Sequence, residues 1–136
     1  MLLGYLKSEN KVMFRDFEIF LANADGNISE TEKALINTHC AEMGIDNNDY
    51  QVTGDIDDII NNISSCFSDV EKKIAYMELV ALAFVDDDYT EEERNFLDSA
   101  RKTFGLSPAT AEQAEGIVGN LIRCTKELEI FAGVLK

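Results

Sequence analysis

One segment of the sequence occurs twice, and this repeat limits the possible folds more than any other feature. The first copy reads ADGNISETE over residues 24–32, and the second reads VDDDYTEEE over residues 85–93, an offset of 61 residues. The glycines at Gly44 and Gly105 keep the same offset. Each copy of an internal repeat usually forms one supersecondary unit. The sequence therefore predicts two copies, over residues 8–45 and 69–106, each with an apolar helix, an acidic turn and a second helix.

Local signals predict where the helices begin and end. A Ser or Thr followed by Glu three positions later predicts a capping box, and this pattern occurs at Ser29 and Glu32, Ser68 and Glu71, and Thr90 and Glu93. Gly44 and Gly105 suit the left-handed conformation that ends a helix. Ser107 followed by Pro108 predicts the start of a last helical region over residues 108–135.

Apolar spacing predicts the remaining elements. A first helix is expected over residues 8–23, with one apolar face formed by Val12, Met13, Phe17, Phe20 and Leu21. A short helix is expected over residues 55–67, after a polar loop over residues 45–54. No stretch alternates between apolar and polar residues as a strand would. The prediction is an all-α, single domain over residues 1–136, a compact bundle of six or seven helices with an internal pseudo-twofold repeat.

The composition excludes some partners. The 136 residues carry a formal net charge of −14, which repels nucleic acid and anionic membranes and favours cations or basic protein partners. The three cysteines, Cys40, Cys66 and Cys124, have no pairing pattern, which is typical of a reducing compartment. No run of apolar residues approaches the length of a membrane span. We expect a cytoplasmic protein without direct membrane insertion.

The acidic turns resemble part of an EF-hand loop, but they lack its first ligand. With Glu32 or Glu93 at the last loop position, the first position falls on Leu21 or Leu82. An EF-hand needs oxygen ligands at that position. A standard EF-hand is therefore excluded.

Three interpretations of the acidic turns remain. In the first, the carboxylates serve only as caps at helix starts, where the helix dipole favours negative charge. Alternatively, the two turns meet and share a divalent cation, for which oxygen ligands favour Ca²⁺, Mn²⁺ or Mg²⁺. The predicted metal ligands are Asp25, Glu32, Asp86 and Glu93, with Asp87 and Asn27 behind them. The third interpretation is a metal-dependent enzyme that uses the same cluster.

Other enzyme signatures are missing from the sequence. His39 is the single histidine and has Ile36, not Glu, three positions before it, so the Glu-x-x-His pattern of di-iron bundles is absent. There is neither a Ser-His-Asp set nor a glycine-rich phosphate loop. His39 is expected to be a packing or surface residue, and Cys40 a buried, inert thiol. These absences favour a protein that is not an enzyme.

The repeated motif resembles that of the tellurite-resistance TerB family. The resemblance rests on Ala24-Asp25-Gly26 with Ile28, Ser29 and Glu32, on the matching residues of the second copy, and on the ending Phe104-Gly105-Leu106. It covers roughly residues 10–106. Asp87 differs from the family pattern, since it stands where glycine is expected.

The resemblance implies a helical, internally duplicated fold with an acidic centre that binds a divalent cation. It also implies a non-enzymatic module linked to stress response, with an unidentified protein partner that is basic or part of a membrane-associated assembly. Carried over by position, the centre consists of Asp25, Glu32, Asp86 and Glu93. The alternatives are the metal-dependent enzyme and a structural adaptor in which the carboxylates only cap helices.

Overall fold

The described part of the chain is entirely helical. A computed structural model describes residues 1–24, 26–85 and 90–135. Within these ranges the chain forms two short 3₁₀ turns, Leu3–Tyr5 and Asn48–Tyr50, and six α-helices with no strand. The helices are α1 (Ser8–Ala22), α2 (Glu30–Met43), α3 (Ile56–Cys66), α4 (Asp69–Phe84), α5 (Glu91–Thr103) and α6 (Pro108–Ala132). The predicted all-α bundle is confirmed.

The helix bounds follow the offset found in the sequence. Helices α1 and α4 begin 61 residues apart, and so do α2 and α5. Gly44 and Gly105 both adopt the left-handed conformation, with φ of 72° and 70°. All three predicted capping boxes are present at the starts of α2, α4 and α5. Superposition of the two copies in space stays a prediction.

Helix α1 lies at the centre of the bundle, where it contacts α2, α3, α4 and α5. Phe17 and Leu21 are buried, as their spacing predicts, but Val12 and Phe20 lie at the surface. Phe14 and Ile19, outside the predicted face, are completely buried. Helix α1 therefore buries more than the face that its apolar spacing indicates, because it has neighbours on several sides.

The polar loop predicted before α3 contains an unusual turn. Asn48, Asp49 and Tyr50 all have positive φ, between 52° and 58°. This conformation is unfavourable for residues other than glycine. Side-chain contacts hold the turn, since the Tyr50 hydroxyl donates to Asn37 Oδ1 at 3.0 Å and the Lys33 ammonium lies 5.5 Å from the centre of the Tyr50 ring.

Helix α6 packs mainly on α4. Ala111 and Val118 are its buried residues, and Gly133 ends the helix in the left-handed conformation. In the part of the chain that the structure describes, no helix combines the length and apolar character needed to cross a membrane.

One buried carboxylate caps two helices. Glu71 Oε1 accepts the backbone N–H of Ser68 at 3.0 Å, which completes the capping box of α4. Its Oε2 accepts the backbone N–H of Lys7 at 2.9 Å and the side-chain amide of Asn10 at 2.9 Å, both at the start of α1. Burial alone would raise the pKa of Glu71, but these hydrogen bonds lower it below its usual value. Glu71 therefore joins the starts of α1 and α4.

We expect Glu71→Ala to reduce the free energy of unfolding by about 2 kcal/mol, since losing one helix cap typically costs about 1 kcal/mol and Glu71 serves two helices. Chemical denaturation with urea measures the change. Ser29→Ala, which removes a single capping box, is the matched control and should cost about 1 kcal/mol. Equal costs for the two variants would contradict the double role. Because the folded pKa is lowered, the contribution of Glu71 is present above pH 4.5 and is lost as the pH falls below it.

Candidate functional site

Of the predicted metal ligands, Glu32 and Glu93 lie in the first turns of α2 and α5. Asp25, Asp86 and Asp87 fall outside the described residues. Among the described ligands, Asn27 is exposed, whereas Glu32 and Glu93 are buried. Among the described residues no group of three or more His, Cys, Asp or Glu side chains is arranged to hold a metal ion.

Glu32 and Glu93 have the same local role in the two copies. Glu32 Oε1 accepts the backbone N–H of Ser29 at 3.0 Å, and Ser29 Oγ accepts the backbone N–H of Glu32 at 3.1 Å. Glu93 Oε1 accepts the backbone N–H and the hydroxyl of Thr90 at 3.3 and 3.1 Å. Both carboxylates therefore cap helices, as the first interpretation predicts. A carboxylate accepts more than one hydrogen bond, so capping does not prevent metal binding.

The flanks of the two acidic turns lie next to each other. Asn23 and Ala24, at the end of α1, line a cavity of about 450 Å³ together with Glu92, Asn95 and Ser99 of α5. The rings of Phe20 and Phe96, with centroids 5.4 Å apart, form the apolar side of this cavity. In sequence, Ala24 directly precedes Asp25 and Glu92 directly precedes Glu93. The fold thus brings the chain leading into the first turn against the chain leaving the second.

A second polar cluster lies inside the bundle and consists of Glu18, His39 and Glu78. The Nδ1 atom of His39 lies 2.7 Å from Glu18 Oε2, and its Nε2 atom lies 2.9 Å from Glu78 Oε2. All three residues are buried, and Glu18 is completely inaccessible to solvent. The cluster therefore joins α1, α2 and α4, which supply one residue each.

Burial and charge have opposite effects on this cluster. Burial raises the pKa of Glu18 to about 7, even though His39 opposes the shift. Burial alone would lower the pKa of His39, but its two carboxylate partners raise it to about 9. For Glu78 burial raises the pKa, but His39 and the Met1 amine outweigh it and lower the pKa overall. At neutral pH His39 is therefore a cation that donates a hydrogen bond from each ring nitrogen.

The cluster borders a groove between α2, α4 and α6. His39 and Glu78 line one part of this groove, whose volume is about 350 Å³, and Leu35, Leu121 and Ile122 line another. The Met1 amine lies at the same end, 3.0 Å from Glu42 and 3.2 Å from Glu78. Both ring nitrogens of His39 are already bonded, so in this arrangement neither can act as a base or bind a metal. The cluster holds helices together.

Sequence analysis missed the roles of Glu18 and Glu78. The position of Glu78 indicates that it is buried, because it lies four residues after Ile74 and four before Leu82, which are both buried in α4. An acidic residue at such a position needs a buried partner. His39 was expected to be a packing or surface residue; it is buried, but as part of an ionic cluster. Cys40 is buried as expected, and burial raises the pKa of its thiol to about 11.

Comparisons with protein-family models, with curated proteins and with solved structures find no match. The geometry of the two clusters is therefore the basis for the functional proposal.

We expect His39→Gln to reduce the free energy of unfolding by about 3 kcal/mol near pH 6, because loss of one partner leaves buried charge uncompensated. The raised pKa of His39 means that its contribution is complete below pH 6.5 and is lost as the pH rises through about 9. The difference in stability between wild type and variant should therefore shrink over this range. Thermal unfolding from pH 6 to pH 10 measures it.

Glu18→Gln is the control, because it keeps the pair of His39 and Glu78 and should cost less than His39→Gln. Because Glu18 also titrates in this range, the decisive comparison is between Glu18→Gln and the double variant Glu18→Gln/His39→Gln. If these two lose stability in parallel between pH 6.5 and pH 9, the assignment of the charge to His39 is contradicted.

Proposed function

We propose that this protein is a non-enzymatic interaction module whose two acidic turns together bind a divalent cation. The proposed ligands are those predicted from the sequence: Asp25, Glu32, Asp86 and Glu93, with Asp87 and Asn27 behind them. The single observation that supports the proposal best is the cavity shared by the end of α1 and the start of α5. Ligands 61 residues apart in sequence need this kind of proximity to reach one ion.

The chemistry of the proposed ligands favours hard cations. All six supply oxygen atoms, and neither His nor Cys is among them. Oxygen ligands are typical of Ca²⁺, Mg²⁺ and Mn²⁺ sites, whereas zinc sites usually include nitrogen or sulfur. Six of the eight residues from Asp86 to Glu93 are acidic. A bound cation would reduce the repulsion among these charges.

A shared cation would also connect the two halves of the protein. It would tie the connection between α1 and α2 to the connection between α4 and α5. The net charge of −14 favours a basic partner. The resemblance to the TerB family suggests a stress-response context for this interaction.

Stabilisation by metal ions tests the proposal. An ion that binds only the folded state raises its stability by mass action, so Ca²⁺, Mn²⁺ or Mg²⁺ should raise the melting temperature of metal-stripped protein. Asp25→Asn and Asp86→Asn should each reduce this shift, and their effects should be non-additive because both residues bind one ion. The matched control is Asp57→Asn, which removes the charge of an exposed Asp in the first turn of α3 and should leave the shift unchanged.

A solvated acidic surface without a specific site gives a different result. Its response would be weak, would disappear at physiological salt, and would be the same in all three variants. That result, or no shift at millimolar ion, would contradict the cation site and leave the carboxylates as helix caps.

A further inference from the structure

An apolar stripe runs along the outside of α6. Its residues are Ile117, Leu121, Cys124, Leu128 and Phe131, and all five are exposed. Phe131 exposes 90% of its surface. We call these five residues the outer stripe. A contiguous apolar surface of this kind usually marks an interaction site.

The spacing of the outer stripe is that of a coiled coil. Successive residues are four, three, four and three positions apart, which keeps them on one side of a helix and suits packing against a second helix. The helix continues to Ala132, so all five residues belong to it. The outer stripe is therefore shaped for a helical partner.

The outer stripe is not needed to hold α6 on the bundle. Ala111, Ala114, Val118 and Ile122 form a separate stripe, which is buried or half-buried against the core. Helix α6 thus has two apolar stripes, and only one of them is covered within the described part of the chain.

The charges around the outer stripe permit contact between the outer stripes of two copies of the chain. Residues 116–135 carry two acidic and two basic side chains, so the net charge of −14 comes entirely from the rest of the chain. Arg123 and Glu127 pair with each other within α6 at 3.4 Å. Asn120 and Thr125, which flank the stripe, are uncharged. A strongly charged partner would find no complementary charge here, whereas a second copy of α6 meets little repulsion.

We propose that the outer stripe is a self-association surface, on which two copies of the chain pack α6 against α6. A twofold arrangement places the same stripe on both sides of the interface. The contact would bury on the order of 1,000 Å² in total, the lower limit for a specific interface. The dimer is therefore weak, forms at high protein concentration and does not depend on a cation in the acidic turns.

Sedimentation of the full chain in reducing buffer tests the proposal, since the reductant prevents disulfides through Cys66 and Cys124. The sedimentation coefficient should rise from that of a monomer toward that of a dimer as the concentration increases to about 1 mM. Leu128→Glu should weaken the dimer at least about tenfold, because the introduced charge would be buried in the interface. Val70→Glu is the matched control: Val70 and Leu128 are 66% and 67% exposed, but Val70 lies in α4, outside the outer stripe.

Thermal unfolding should show that both variants remain folded, since both side chains are exposed. A monomer at every concentration would overturn the proposal and leave the outer stripe to a different partner. A dimer that Leu128→Glu leaves intact would overturn it as well, because association would then use another surface. Equal weakening by both variants would show that added charge, not the stripe, controls association.

Discussion

The structure depends on helix α1 being surrounded, because each of its buried polar side chains must find a partner inside the protein. Asn10 donates to Glu71 of α4, and Glu18 pairs with His39 of α2. Arg15 pairs with Asp16, which in turn accepts hydrogen bonds from Thr53 before α3. A buried polar group without a partner costs more than its hydrogen bond contributes. These pairs therefore constrain how the neighbouring helices pack against α1.

This arrangement explains why the two clusters of charge differ in character. Glu18, His39 and Glu78 are buried where three helices meet, so their charges serve to hold helices together. The described residues on either side of the acidic turns, by contrast, line a cavity where the end of α1 meets the start of α5. The proposed functions follow the same division: the interior cluster stabilises, while the turns and the outer stripe of α6 are available to ions and to a second copy.

Sequence predicted best those features whose chemistry is complete within a few residues. The boxes at Ser29, Ser68 and Thr90 and the glycine at Gly44 involve interactions over three to five positions, so their residue types identify them. The two partners of His39 could not be predicted from neighbouring residues, because Glu18 and Glu78 lie 21 and 39 positions away in sequence. The further buried residues of α1, such as Ile19, were missed for a related reason. The number of helices that surround a given helix depends on the fold of the whole chain, not on the spacing of apolar residues within that helix.

The double cap made by Glu71 has a consequence for local opening. The first turns of α1 and α4 share one carboxylate, and because Glu71 belongs to α4, the start of α4 cannot fray without leaving the backbone N–H of Lys7 at the start of α1 unsatisfied. Separate helix ends usually open independently and exchange their amide protons quickly. Here each opening of the start of α4 should also open the start of α1, whereas α1 can open alone. The beginnings of the two halves, 61 residues apart, are therefore coupled in one direction, from α4 to α1.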